Sequence, residues 1–343
     1  MKIGLVGYQG SGKSTLFEWI TDVKADPALA HTTQSAMATV PEARVEQLCQ
    51  IYSPKKITLA ALEVVDTPGL ARGSHEGNPA RLATLRESGA LIVVVAAWGG
   101  ADAAKTLTSF EEDLLLADLE IVTGRVERLK DQLRKPKPGK EKDEEELAAL
   151  EPIAATLGEG RSVREMKLTP DQLKATKSFQ LLTLKPRLVV FNTADDETNL
   201  ERFAALVPPG SRSVALPLGL ELDLHRMSPE EREAFCAEMG VKPIGRTELL
   251  RTIMDASGQM LFFTAGEKEV RTWMIPQGAT AVDAAGSIHT DMARGFIRAE
   301  TMQVADLVRL GSEREIKAAG LVRQEPKDYV IRDGDIITFK FNV

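Results

Sequence analysis

The chain has 343 residues, 43% of them hydrophobic and 27% charged, and 50 acidic against 43 basic side chains give it a formal charge of −7. That length allows two or three domains with proper cores. The negative balance excludes global attraction to nucleic acid while leaving room for a local basic face. Cys49 and Cys236 stand far apart with no C-x-x-C pair, which fits a reducing cytoplasm better than a disulfide framework. The N-terminal apolar run is too short for a signal-peptide core, and the longest apolar stretch, Ala90 to Trp98, falls far short of a membrane span.

Ile3 to Val6 reads as a strand, and Gly7-Tyr8-Gln9-Gly10-Ser11-Gly12-Lys13-Ser14 follows it before a helix-like Thr15 to Ile20. G-x-x-x-x-G-K-S between strand and helix is the phosphate-binding P-loop pattern. Its glycines let successive backbone N–H groups converge on one anion, and the helix N-terminus adds partial positive charge. The loop from Gly7 through Gln9, Gly10, Ser11 and Gly12 to Thr15 is therefore expected to cradle phosphates. Lys13 would reach the β- and γ-phosphate oxygens and Ser14 would ligate Mg²⁺.

Residues 21–57 read as loop followed by a helix from Glu42 to Ile51, with Val45, Leu48 and Ile51 on one side. In P-loop switch proteins this region supplies a threonine to Mg²⁺ and the γ-phosphate; Thr32 and Thr33 are the candidates, with Thr33 taken as the ligand. Ile57 to Val65 reads as one strand delivering Asp66-Thr67-Pro68-Gly69-Leu70 at its carboxyl end. Asp66 is placed to hold Mg²⁺, and the D-x-x-G spacing sets the Gly69 N–H where a γ-phosphate would sit. The next position, which in Ras-like enzymes holds a water-orienting glutamine, is Leu70. Hydrolysis is thus expected to be slow, or another group positions the water; His75 in the 71–77 loop is one candidate.

Arg81 to Ser88 reads as a helix, and Ala90 to Ala97 as a strand buried on both faces. Arg187 to Phe191 and Ser213 to Leu216 are further strands, the former ending in Asn192-Thr193-Ala194-Asp195. Strands alternating with helices argue a doubly wound, mostly parallel α/β sheet. Between them, Leu115, Leu119, Val122, Val126, Leu129 and Leu133 recur as a heptad seam, Lys135 to Lys140 breaks it, and Leu147, Leu150, Ala154 and Leu157 resume it. The reading is an inserted antiparallel coiled-coil arm whose returning helix should be kinked or interrupted at Pro152. Its tip, with Lys135 and Lys137, is either a phosphate-binding patch or a solvated end.

From Gln259 the pattern becomes short strands: Leu261 to Thr264, Glu269 to Ile275, Phe296 to Glu300 and Ile336 to Val343, with Asp283 to Gly286 ending a short helix. That composition suggests a small α+β module.

Taken together, the P-loop, the Asp66–Leu70 element, the coiled-coil insertion and three C-terminal strings resemble the YchF/Obg-like ATPase family. The strings are FFTAGEKEVRTW (262–273), AAGSIHTDMARGFIRAE (284–300) and KDYVIRDGDIITFKFNV (327–343). The last three look like the family's TGS domain, a β-grasp, ubiquitin-like fold. The resemblance implies a nucleotide domain over 1–107 and 184–258, an arm over 108–183 and a TGS domain over 259–343. It also implies a cytoplasmic Mg²⁺-dependent ATPase or GTPase of the translation-factor class, associated with ribosomes or RNA, with no membrane attachment and no call for a dimer. Lys268, Arg271, Arg294 and Arg298 are then candidate RNA contacts beside the arm tip.

The base-reading motif departs from the pattern. Guanine-specific relatives use N-K-x-D and YchF proteins N-x-x-E, whereas this chain has Asn192 and Asp195 around Thr193-Ala194. A carboxylate such as Asp195 accepts from guanine N1–H and the 2-amino group together, while adenine offers an acceptor at N1. Chemistry leans to guanine and the resemblance to adenine; the expectation is ATP slightly over GTP with weak discrimination.

Overall fold

The structure is a computed structural model. It describes the chain except residues 27, 29–31, 71–77, 135–139, 209–210 and 343, and at 78–80 it describes the backbone alone. In chain order, β1 (Lys2–Val6) leads to α1 (Lys13–Thr21), β2 (Gln34–Thr39), α2 (Ala43–Tyr52), β3 (Ile57–Thr58), β4 (Ala61–Asp66), α3 (Asn78–Arg86) and β5 (Ala90–Ala97). The long pair α4 (Ala103–Leu133) and α5 (Lys140–Gly158) follows, then α6 (Pro170–Thr176), β6 (Arg187–Thr193), β7 (Arg212–Leu216), α7 (Leu218–Arg226), α8 (Pro229–Met239) and α9 (Arg246–Ala256). The chain ends with β8 (Gln259–Ala265), β9 (Val270–Pro276), α10 (Ala281–Ile288), α11 (Thr290–Arg294), β10 (Phe296–Gln303), α12 (Val304–Leu310), α13 (Glu313–Ala318), β11 (Arg323–Glu325) and β12 (Asp335–Phe341). No helix among the described residues is long and apolar enough to cross a membrane.

Packing divides the chain into two units: 2–36 with 63–245, and 37–62 with 246–343 and Met1. The first is built on a six-stranded sheet in the order β2-β4-β1-β5-β6-β7. Its β1–β4, β1–β5, β5–β6 and β6–β7 pairs are all parallel, the doubly wound α/β arrangement. The continuous apolar runs of β5 and β6 explain their central place, since parallel strands must bury both faces. All phosphate-directed turns then leave the carboxyl ends of β1, β4 and β6, the edge where such sheets bind ligands.

The arm is a helical hairpin of α4 and α5. Val122, Val126 and Leu129 are buried against Leu150, Ile153 and Leu157, with Leu115, Leu119 and Leu147 partly buried beside them. Arg125 clamps Glu146 through two nitrogens at 2.8 and 2.7 Å. Of the two expected effects of Pro152, interruption does not occur: α5 runs through it as one helix. Pro152 and Ala148 four residues before it are both exposed, so the missing N–H and the carbonyl it would have capped face water rather than the seam.

At the arm's root Asp118 is fully buried. It accepts from Arg86 Nη1 at 2.7 Å, from the Leu182 and Thr183 N–H groups at 3.0 and 2.8 Å, and from Thr183 Oγ1 at 2.8 Å. Lys185 Nζ donates to the carbonyls of Arg86 and Ser88 nearby. Burial, and secondarily the Arg86 charge, hold its pKa below the usual lysine value, with Asp118 opposing.

The second unit is a six-stranded mixed sheet in the order β11-β10-β12-β8-β9-β3, the β-grasp-like module. Adjacent residues in its central strands go to opposite faces. Phe262 and Ile337 pack with Ala281, Ala284 and Ala285 of α10, while Phe263 and Ile336 pack with Val45 and Leu48 of α2 and Leu307 and Ile316 of α12 and α13. Both faces are therefore covered.

Four expectations change here. Residues 34–39 form an edge strand rather than loop. The run 57–65 is two strands rather than one: Ile57 and Thr58 pair with Val270 and Arg271, and the Ala60 N–H donates to Thr272 Oγ1 at 2.7 Å, before β4 enters the parallel sheet. Residues 37–62 and 246–258, assigned above to the nucleotide domain, pack in the C-terminal unit because α2 supplies its second core. Residues 283–286 lie inside α10 rather than at its end, and α12 and α13 occupy a stretch to which no element was assigned.

Candidate nucleotide-binding site

The P-loop leaves β1 through three glycines in left-handed or otherwise positive-φ backbone, Gly7, Gly10 and Gly12, at φ 146°, 78° and 102°. Two of them also lack room for a side chain. A Cβ on Gly7 would stand 2.3 Å from the Val94 carbonyl oxygen, and one on Gly12 would stand 2.3 Å from Asn192 Nδ2. The loop is thus wedged between β5 and the end of β6. Helix α1 begins at Lys13 itself, so its first N–H groups open onto the loop.

Lys13 is buried, and its Nζ donates to the Tyr8 carbonyl at 3.0 Å. Burial lowers its pKa to about 8, with the Arg81 charge adding to the effect and Asp66 opposing it. Ser14 Oγ donates to Asp66 Oδ2 at 2.8 Å, while Asp66 Oδ1 is buried without a hydrogen-bond partner among the described residues. Burial raises the Asp66 carboxyl pKa, against the pull of Ser14 and Lys13. A hydroxyl and an under-satisfied carboxylate side by side make a hard-oxygen donor pair of the kind Mg²⁺ takes.

The D-x-x-G element is fastened to the P-loop by its backbone. Leu70 N–H donates to the Gly7 carbonyl at 3.1 Å, Gln9 N–H to the Leu70 carbonyl at 3.2 Å, and Thr67 Oγ1 to the Leu5 carbonyl at 2.7 Å. Gly69 lies so close that a Cβ on it would stand 2.7 Å from both Gln9 N and Cα. Leu70 is buried in an apolar cluster with Tyr8, Leu82, Leu85 and Phe110. The position expected to lack a water-orienting group is therefore also turned into the core.

A cleft of about 670 Å³ runs from Gly10, Gly12, Lys13, Ser14 and Thr15 to Trp98, Gly99, Asn192, Asp195 and Gly219. That volume is within the usual range of small-ligand sites. Asn192 is buried with both amide ends occupied: Nδ2 donates to the Ser11 carbonyl and Oδ1 accepts from Leu218 N–H, each at 3.1 Å. It braces the P-loop against the start of α7, while Asp195 lies exposed on the cleft wall.

Thr33 is exposed just ahead of β2, and none of the hydrogen bonds among the described residues joins it to Ser14 or Asp66. His75, Lys135 and Lys137 lie outside the described residues. Lys268 is exposed; Arg271 lies over the Trp273 ring at 3.8 Å; Arg294 pairs with Asp291 at 2.8 Å and Arg298 with Glu300 at 3.6 Å. Two residues escaped the sequence reading. Trp98, 38% exposed, sits at the carboxyl end of β5 with its ring on the cleft; an aromatic at the end of a buried parallel strand was the available signal. Arg81 donates to the Gly69 carbonyl at 2.5 Å and carries no motif.

Comparison with known proteins covers the whole chain. A family model named for the C-terminal part of YchF-type GTPases, and described as a protein of unknown function, matches residues 260–342; a second, described as 50S ribosome-binding GTPase, matches residues 2–123. Obg-like ATPase 1 of Oryza sativa subsp. japonica is 35% identical over 100% of this chain and 92% of its own length. Ribosome-binding ATPase YchF of Escherichia coli O157:H7 is 33% identical over 100% of this chain and 99% of its own. The solved YchF GTPase of Schizosaccharomyces pombe superposes with a TM-score of 0.84 at 28% identity, covering 99% of this chain and 97% of that one. With the P-loop, the D-x-x-G element, the arm and the β-grasp module all in place, the chain belongs to the YchF/Obg-like ATPase family.

Proposed function

We propose that this chain is a Mg²⁺-dependent nucleoside triphosphatase that favours ATP slightly over GTP, turns over slowly alone and acts as a ribosome-associated switch. The observation that carries the reading is the Ser14–Asp66 pair at 2.8 Å beside the buried Lys13. These two oxygens would hold Mg²⁺, which when bound neutralises charge on the β- and γ-phosphates. Lys13 and the loop amides bind the phosphates, Gly69 senses the γ-phosphate, and Trp98 and Asp195 meet the base. Leu70 supports a slow intrinsic rate, because a buried isobutyl group neither donates to nor accepts from water. Ribosome association rests on relatives named ribosome-binding ATPases. On this reading the protein works as a cytoplasmic monomer, 259–343 is the TGS domain, and Lys268, Arg271, Arg294 and Arg298, with Lys135 and Lys137 of the arm, are its RNA-facing candidates.

The base preference is tested by equilibrium binding of fluorescent ATP and GTP analogues with Mg²⁺, each competed by unlabelled nucleotide. The expected result is an adenine preference of roughly fivefold, the ~1 kcal/mol of one net hydrogen bond at an exposed position. A strong guanine preference is the second reading, favoured by the Asp195 carboxylate, and would make the chain a GTPase on a YchF frame.

The bracing role of Asn192 makes a separate prediction. Asn192→Ala leaves the Ser11 carbonyl and the Leu218 N–H without their partner, a cost of about 2 kcal/mol or more. Affinity for ATP and GTP should fall together, by tenfold or more, with their ratio unchanged. A shift in the ratio would show Asn192 reading the base instead.

A further inference from the structure

Two cationic side chains converge on the glycine of the D-x-x-G element. Lys13 Nζ lies 2.9 Å from the point where a Cβ on Gly69 would stand. At the same residue, an Arg81 guanidinium nitrogen donates to the Gly69 carbonyl at 2.5 Å. The two cationic groups thus meet the same glycine, one at its Cα and one at its carbonyl. Asp66 offsets them, but it is already shared with the Ser14 hydroxyl. Like charges held together in a partly buried place repel at reduced dielectric, so the arrangement is one that a multiply charged anion relieves.

The same stretch contributes nothing polar at the next position, where Leu70 is 2% exposed and packed among Tyr8, Leu82 and Leu85. Arg81, in contrast, donates to the carbonyl of Gly69, the residue whose own N–H the D-x-x-G spacing sets at the γ-phosphate position. Its planar fork of five N–H donors suits the oxygens of a phosphoryl group, and one of those donors already fixes the fork at Gly69.

We propose that Arg81 is a catalytic residue: with a triphosphate bound, its guanidinium engages the γ-phosphate oxygens and supplies, from within this chain, the charge that stabilises the transferring phosphoryl group. In the step it serves, a water oxygen forms its bond to the γ-phosphorus as the bond to the β,γ-bridging oxygen breaks. The electron pair of the broken bond stays on the β-phosphate, one water proton ends on the released inorganic phosphate and the other passes to solvent. Charge spread over three equatorial oxygens is what an arginine in this position stabilises. The inference rests on the triphosphatase reading and extends it to a residue outside the P-loop.

The test compares wild type, Arg81→Ala and Arg81→Gln for ADP affinity, single-turnover ATP hydrolysis, and the gain in ADP affinity caused by aluminium fluoride, a mimic of the transferring phosphoryl group. Glutamine keeps an N–H for the Gly69 carbonyl and removes the charge, so it separates catalysis from scaffolding. Both variants should bind ADP within about twofold of wild type, lose roughly ten- to a thousandfold in hydrolysis, and lose the aluminium fluoride gain. Wild-type hydrolysis by Arg81→Gln, or a parallel fall in ADP affinity in both variants, overturns the assignment of Arg81 alone. Failure of the wild type itself to bind ADP or ATP overturns the triphosphatase reading, and the role of Arg81 with it.

Discussion

Replacing Lys13 should abolish nucleotide binding and turnover while making the nucleotide-free protein more stable. Its ammonium is buried, bonded to one carbonyl, and held at a pKa of about 8 instead of 10.5. A depression of that size corresponds to a penalty on the order of 3 kcal/mol for keeping the group charged at neutral pH. Lys13→Met removes the charge and keeps an apolar stem of similar length, so its melting point without nucleotide should exceed that of wild type at pH 7. The pH dependence follows from linkage. Between about pH 8 and pH 10.5 the unfolded chain holds the Lys13 proton and the folded chain has released it. Wild-type stability, relative to the methionine variant, should therefore rise across that window. Adding Mg²⁺ and ATP should raise the wild-type melting point and leave the variant unmoved, since only the wild type has the ammonium that pairs with phosphate. A variant that melts lower than wild type in the absence of nucleotide, or still gains from ATP, would contradict this account of the site.

The stabilising response also explains why the site was so readable. A P-loop must combine glycines that adopt positive φ, a lysine and a hydroxyl in one short run, because each serves a different part of the phosphate. Gly7 and Gly12 add a steric reason: any Cβ there would collide with Val94 or Asn192. Asp66, β5 and the arm's seam were legible for similar reasons of local pattern. What escaped is decided by distant partners. Val45 and Leu48 mark α2 as amphipathic but do not say which sheet they cover, and they cover the C-terminal one. The neighbouring pairs Phe262–Phe263 and Ile336–Ile337, one residue to each face, were the sign that this sheet buries both sides. The division of 57–65 between two sheets depends on the Thr272 hydroxyl, far along the chain. Pro152 is tolerated because it faces water, and periodicity alone does not tell which face of a helix is wet. Asn192 was legible as a motif residue, but its work as a brace required Ser11 and Leu218 to be seen beside it.

Asp118 is the extreme case, a charged residue on a long helix that proves completely buried. Its carboxylate gathers four hydrogen bonds from Arg86, Leu182 and both donors of Thr183. Those bonds tie α4 to the helix α3 and to the turn that leads into β6, so the arm's root and the nucleotide sheet share one polar knot. Asp118→Ala removes the carboxylate partner of the half-buried Arg86, whose remaining acceptors are the Ala117, Phe179 and Gln180 carbonyls, and leaves two backbone N–H groups without their acceptor, and the loss should be about 3–5 kcal/mol. Asp118→Asn should also be costly, because one of its two ends would present an N–H₂ to the donors that the carboxylate now accepts from. Arg86→Ala leaves the opposite charge unpaired and should lose a comparable amount. The double variant Asp118→Ala with Arg86→Ala should be less destabilised than the sum of the singles, by roughly 1–3 kcal/mol, since each single exposes the burden of the other partner. Urea denaturation of the four proteins measures the cycle. Strict additivity would mean that the salt bridge is incidental and that the backbone N–H contacts alone hold the arm.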